Sequence, residues 1–104
     1  MKFQDEKALY FSQKLRERVG KNLKHLFLFG SRARGNASEG SDYDFAVILN
    51  QKDHSSVSDI RSVEVDFLNK FDNLSASLIY DVQGWEKRKN WPLGINILRD
   101  GVEL

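Results

Sequence analysis

Asp42 and Asp44, in the run Ser41-Asp42-Tyr43-Asp44, are the residues whose types and spacing most directly suggest chemistry. On an extended strand two such positions share one face. Two neighbouring carboxylates repel and need a positive charge between them. Hard oxygen donors of this kind suit Mg2+, with Mn2+ as the variant; such ions keep waters and take phosphate oxygens as further ligands. Upstream stand Gly30-Ser31. A glycine lets the backbone come close to a phosphate, and Ser31 adds a hydroxyl and a backbone N–H at a helix start. Arg32 and Arg34 follow, with charges suited to phosphate. Ser41 adjoins the acids, where a turn or capping role competes with a ligand role. Phosphate grip and metal clamp thus fall at the ends of adjacent segments, the layout that phosphoryl-type transfer needs.

The flanking segments must hold these groups in place. Ala8, Leu9, Phe11, Leu15 and Val19 recur at helical spacing, and Gly20 is a stop. His25-Leu26-Phe27-Leu28-Phe29 is too short and too aromatic for a helix and reads as a buried strand ending at Gly30. Gly30 to Ser41 is glycine-rich and polar, a loop in which residues 31–34 fit one helical turn. Tyr43 to Leu49 ends apolar on both faces, the pattern of a central strand. Ser56 to Phe71 turns helical through Val57, Ile60, Val63, Phe67 and Phe71, with Ser56 or Ser58 as cap. Ser75 to Val82 predicts a third strand, with Ala76, Leu78 and Tyr80 on one face and Ser77, Ile79 and Asp81 on the other. Residues 84–90 fit a helical turn, Pro92 starts a last helix, and Asp100-Gly101 is a turn. The expected architecture is α/β (α+β): a small mixed sheet with helices packed on it.

Composition narrows the functional classes. A chain of 104 residues fits one domain, 1–104. Sixteen basic residues against fifteen acidic give no strong pull toward nucleic acid or membrane, so direct nucleic-acid binding is not expected. With no cysteine there is no disulfide, thiolate metal site or cysteine nucleophile, which suits a cytoplasmic setting. No apolar run is long enough to span a bilayer, and the first ten residues do not have the form of a signal peptide.

The stretch LFLFGSRARGNASEGSDYDFAVI resembles the signature of the DNA polymerase beta-like nucleotidyltransferase superfamily: a strand, Gly-Ser, a spacer, then Asp-x-Asp on the next strand. It is most similar to the minimal nucleotidyltransferase (MNT) subgroup. The resemblance implies the polymerase beta-like fold and transfer of a nucleoside monophosphate, typically AMP from ATP, to a hydroxyl with two Mg2+ ions. Asp42 and Asp44 would bind metal, and Gly30 and Ser31 the triphosphate. It further implies a HEPN-domain protein as partner in a toxin–antitoxin pair, with the MNT protein as antitoxin.

The superfamily also implies a third carboxylate on the next strand. The alignment places it near Ser77, which cannot serve as a charged ligand. Asp81 shares that face and is the acid available to complete the catalytic set, but four residues of strand separate it from Ser77, about 13 Å. Two other classes of reading therefore stand beside the enzyme: a catalytically weak module that neutralises its partner by contact, and a small-molecule nucleotidyltransferase working as a homodimer. Bare phosphate binding without metal is weaker still. The short chain leaves no separate acceptor-recognition domain, which favours a protein acceptor. His25 and His54 lack a matching ligand, Trp85 and Trp91 are expected to pack under the last helix, and residues 86–89 form a solvated basic face.

Overall fold

The structure, a computed structural model, describes residues 5–104. Ten elements follow one another: α1 (Glu6–Val19), a 3-10 turn (Gly20–Asn22), β1 (Leu23–Phe29), α2 (Ser31–Arg34), β2 (Tyr43–Leu49), α3 (His54–Phe71), β3 (Ser75–Asp81), α4 (Val82–Arg88), α5 (Pro92–Asp100) and β4 (Val102–Glu103). The strands form one mixed sheet in the order β3-β2-β1-β4. β1 runs antiparallel to β2 and to β4, whereas β2 and β3 are parallel, joined by α3. The expected mixed sheet with helices packed on it is what the chain forms.

Local chemistry explains the boundaries. Asp5 caps α1 by accepting from the Lys7 and Ala8 N–H groups, and Gly20 ends it with φ 61°. The cap of α3 is Asp53, accepting from Ser56 N, so the helix starts at His54, earlier than the expected Ser56 or Ser58 cap. The serines lie inside the first turn, where an aspartate three residues upstream of an N–H does the same job. Pro92 opens α5, where its missing N–H costs nothing. β4 escaped the sequence reading: two residues after Gly101 carry no periodicity, yet they pair with Phe27 and Leu28, and the Glu103 carboxylate accepts from His25 Nδ1 at 2.7 Å.

The two sheet faces bury different sets. Leu26, Leu28, Tyr43, Phe45, Val47 and Leu49 point toward α1 and α3, meeting Phe11, Leu15, Ile60, Val63 and Phe67. Phe27, Ala46 and Ile48 point the other way, under Trp85 and Ile97 of α4 and α5. Asp44 belongs to the second face, because it lies two residues before Ala46. Trp85 packs as expected, while Trp91 is exposed, with the Arg88 guanidinium 4.8 Å from its ring centre.

Candidate functional site

The sheet edge where β1 ends and β2 begins brings the predicted motif together. Phe29 pairs with Asp44 across the antiparallel strands, so Gly30 leaves β1 beside the Asp44 carboxylate. Gly30 has φ 76° and ψ −159°, a region open essentially to glycine alone. A Cβ there would lie 2.7 Å from Asp44 Oδ2. Two independent constraints therefore demand glycine, one from the turn and one from the carboxylate packed against it.

Ser31 is the first residue of α2, whose single turn returns Ala33 N and Arg34 N to the Gly30 carbonyl. Gly35, at φ 78°, closes the turn. The loop then folds back so that Ser41 precedes Asp42. Asp44 is half-buried and Asp42 exposed. Burial pushes the Asp44 carboxyl up from its ordinary value, and the neighbouring Asp42 charge pushes it further. The repulsion read from the Asp-x-Asp spacing is thus present in the folded protein.

The two arginines have different tasks. Arg32 donates through Nε and Nη2 to the Ser41 carbonyl, at 3.2 and 2.9 Å, and lies over the Tyr43 ring at 4.5 Å. Its guanidinium is spent on holding the loop, which departs from the phosphate contact expected of it. Arg34 instead lines a cleft of about 250 Å³ with Phe29, Gly30, Leu93, Asn96, Arg99 and Asp100. Ser41 serves the loop as a hub: its carbonyl also accepts from Asn73 Nδ2, and its hydroxyl meets that of Ser38.

Sequence reasoning missed the scaffold under this loop. The buried Tyr43 hydroxyl donates to Asp5, at 2.8 Å to Oδ2, and its pKa is pushed up to about 12, by burial first and then by Asp5. Asn73 is buried, accepts from Lys7 Nζ and holds Ser41. The N-terminal cap of α1, the start of β2 and the end of α3 are therefore tied to the backbone beside Asp42. The signal lay in polar residues at element ends, which in isolation look like ordinary caps.

Asp81 does not join the site. It pairs with Leu49, at the opposite end of β2 from Asp44, and caps α4 by accepting from Gly84 N at 2.6 Å. Ser77 is also corrected. It pairs with Phe45, so it faces the α1–α3 core, where its hydroxyl is buried without a partner. On the face that carries Asp44, β3 presents Ala76 and Leu78, paired with Asp44 and Ala46. The expected partition of β3 stands, with Ala76, Leu78 and Tyr80 on one face and Ser77, Ile79 and Asp81 on the other; aligning the third acid with Ser77 is what put it on the face away from Asp44.

Among the described residues no group of three or more Asp, Glu, His or Cys is placed to hold a metal. The donor set is two carboxylates that strain each other next to a glycine-lined cleft with Arg34 and Arg99. That fits a hard cation whose remaining ligands are water and phosphate oxygens, rather than an ion caged by protein alone.

Comparison with known proteins places the chain in a family. The nucleotidyltransferase domain model matches residues 10–104. No curated protein sequence matches the chain. Among solved structures, a toxin–antitoxin crystallised with AMP-PNP is 17% identical with a TM-score of 0.61, over 95% of this chain and 72% of that one. A mutant MntA–HpeT toxin–antitoxin is 16% identical with a TM-score of 0.59, over 96% and 72%. A complex of tri-AMPylated Shewanella oneidensis HEPN toxin with MNT antitoxin is 16% identical with a TM-score of 0.52, over 93% and 70%. At these identities the likeness establishes the fold, and with the domain model matched over nearly its whole length, the chain belongs to the nucleotidyltransferase domain family.

Proposed function

We propose that this chain is a Mg2+-dependent nucleotidyltransferase that moves AMP from ATP to a hydroxyl of a HEPN-type partner protein, acting as the antitoxin of a HEPN/MNT pair. The observation that carries this reading is the packing of Gly30, which lines the cleft, against the Asp44 carboxylate. It sets a close-approach backbone, a carboxylate pair and a cationic wall within one site. Family membership supports the transfer, and the AMP-PNP and AMPylated-toxin complexes among the structural neighbours support the nucleotide and the partner.

The residues divide the work as follows. Asp42 and Asp44 hold the cation. A bound Mg2+ neutralises phosphate charge and polarises the phosphoryl oxygens. Gly30 admits the triphosphate against the backbone, and the Ser31 hydroxyl and N–H donate to it. Arg34 faces the same cleft and offsets the negative charge of the phosphate tail. The acceptor oxygen forms a bond to the α-phosphorus as the bond to the β-phosphate oxygen breaks. Pyrophosphate departs, and the hydroxyl proton passes to solvent.

A second reading is favoured by one specific observation. β3 carries Ala76 and Leu78 on the acid face, and Asp81 stands at the other end of the sheet. A chain built this way binds nucleotide and metal but transfers slowly alone, and neutralises its partner by contact. Calorimetry of ATP with Mg2+ on the wild type and on Asp42→Ala/Asp44→Ala tests the site. The expected result is Mg2+-dependent binding that the double variant loses. Wild-type protein that binds no nucleotide would sink the enzyme reading and leave contact alone. Transfer of labelled AMP to a co-expressed partner then separates the two readings, since contact consumes no ATP.

A further inference from the structure

The cleft has a wall that the motif does not supply. Phe29, Gly30 and Arg34 line it from the motif side, and α5 contributes Leu93, Asn96, Arg99 and Asp100. The register explains why α5 reaches this far. Asp44 lies on β2, Gly30 follows β1, and Asp100 stands one residue, Gly101, before β4, the strand on the far side of β1. Adjacent strands are about 4.8 Å apart, so the end of α5 stands about 10 Å across the sheet from Asp44. Gly101 fixes that end: a Cβ there would meet the Ile97 carbonyl at 2.3 Å and the Leu28 carbonyl at 3.2 Å. Helix α5 is therefore pressed onto β1 where the cleft opens.

Arg99 is bonded within its own helix. Its Nε donates to Asp100 Oδ1 at 3.1 Å, and its Nη2 donates to Asp100 Oδ2 at 3.0 Å and to Asn96 Oδ1 at 3.1 Å. Arg99 is largely exposed, and Asp100 also feels the charge of Arg34. The Asp100 carboxylate is thus bonded to Arg99 at the cleft wall and lies within the field of Arg34. An exposed pair of this kind is weakly held and easily exchanged, whereas a phosphate accepts a bidentate guanidinium with greater strength.

We propose that Arg99 is a second cationic ligand for the terminal phosphates of the bound nucleoside triphosphate, opposing Arg34 across the cleft, and that Asp100 parks it until the triphosphate arrives. The proposal rests on the nucleotide-site reading above and extends it to a residue outside the Gly-Ser and Asp-x-Asp motif. The triphosphate runs from the carboxylate pair over Gly30 toward α5. Arg99 exchanges Asp100 for phosphate oxygens, and Asp100 is left with Arg34. A monophosphate anchored at the carboxylates does not reach α5, so Arg99 distinguishes ATP from AMP.

Calorimetry with Mg·ATP and Mg·AMP on wild type, Arg99→Ala, Arg99→Lys and Asp100→Asn tests this. Arg99→Ala is expected to weaken ATP roughly ten- to a hundredfold, the span of a charge-assisted hydrogen bond. AMP affinity should stay within about twofold. Arg99→Lys should recover part of the loss, because charge returns without the fork. Asp100→Asn should tighten ATP, since the competing carboxylate is gone. Unchanged ATP affinity in Arg99→Ala, or equal losses for ATP and AMP, would overturn the assignment. Weaker or unchanged ATP binding by Asp100→Asn would overturn the parking role. Wild type that binds ATP while Arg99→Ala matches it defeats this inference alone; wild type that binds no ATP defeats the site itself.

Discussion

The two faces of the sheet solve different problems. The face toward α1 and α3 is closed: Phe11 stacks on Phe45 with ring centres 3.9 Å apart and planes 7° from parallel, and Phe67 meets both edge-on. The opposite face buries only Phe27, Ala46, Ile48, Trp85 and Ile97, and gives way to polar groups as β2 is followed back to Asp44. A small domain has little apolar surface to bury, and this one concentrates it on one side. The other side is left thin, so that a strained carboxylate and an open cleft can exist there at all. Stability resides mainly under α1 and α3, and the candidate site lies on the face opposite.

That division is sharpened most by paired core truncations. Phe45→Ala removes the centre of the aromatic cluster and is expected to cost about 3–5 kcal/mol. Ile48→Ala, on the thin face, is expected near the lower end of about 2–5 kcal/mol, because its cluster holds fewer buried side chains. Urea unfolding of both variants measures the difference. Equal losses would break the comparison.

Next in size is Gly30→Ala, which strikes the junction between stability and function. The backbone region at Gly30 costs a side-chain-bearing residue about 1–3 kcal/mol, and the new methyl displaces Asp44. The expected outcome is a loss of stability in that range together with loss of Mg2+-dependent nucleotide binding. A folded variant that binds as wild type would show that the close approach of Gly30 to Asp44 does not shape the site.

Much of this was legible in the sequence, for definable reasons. The strand ending at Gly30, the loop and the strand from Tyr43 follow from apolar runs bounded by glycine and polar residues, and the Asp-x-Asp spacing foretold the repulsion at Asp44. Helical periodicity located α1, α3 and α5. What periodicity cannot convey is which face of β3 lies on the side of the sheet that carries Asp44, since alternation separates the two faces without naming their neighbours. Ser77 was therefore placed beside the acids when it lies beneath α1 and α3, and Asp81 was counted with the site when it caps α4. Arg32 and Arg34 look alike in sequence, and only the fold of the loop sends one to Ser41 and the other to the cleft. β4 is held by pairing with β1, a long-range contact without a local pattern.

Asp81 converts that correction into a smaller effect. As the α4 cap, Asp81→Ala should cost about 1 kcal/mol of stability and leave Mg·ATP affinity unchanged. A calorimetric loss of nucleotide binding with stability intact would return Asp81 to the site.

The smallest effect is a pH slope on the closed side. Asp53 caps α3 at Ser56 N at 2.7 Å, and this hydrogen bond holds its carboxyl below the ordinary value of 3.8. An acid whose folded pKa is depressed contributes stability that is present above the unfolded value and is lost as pH falls through the folded one. Asp53→Asn keeps an acceptor for the cap without the charge. The variant should match wild type near neutral pH and lose less stability as pH drops below about 4. Thermal melts across that range measure how far the two curves diverge as pH falls. Parallel curves would show that the cap works through its hydrogen bond alone. Asp44, with its carboxyl pushed in the opposite direction by burial and Asp42, marks the contrast: on the closed side an aspartate charge steadies a helix, and on the open side the same charge opposes folding until a cation meets it.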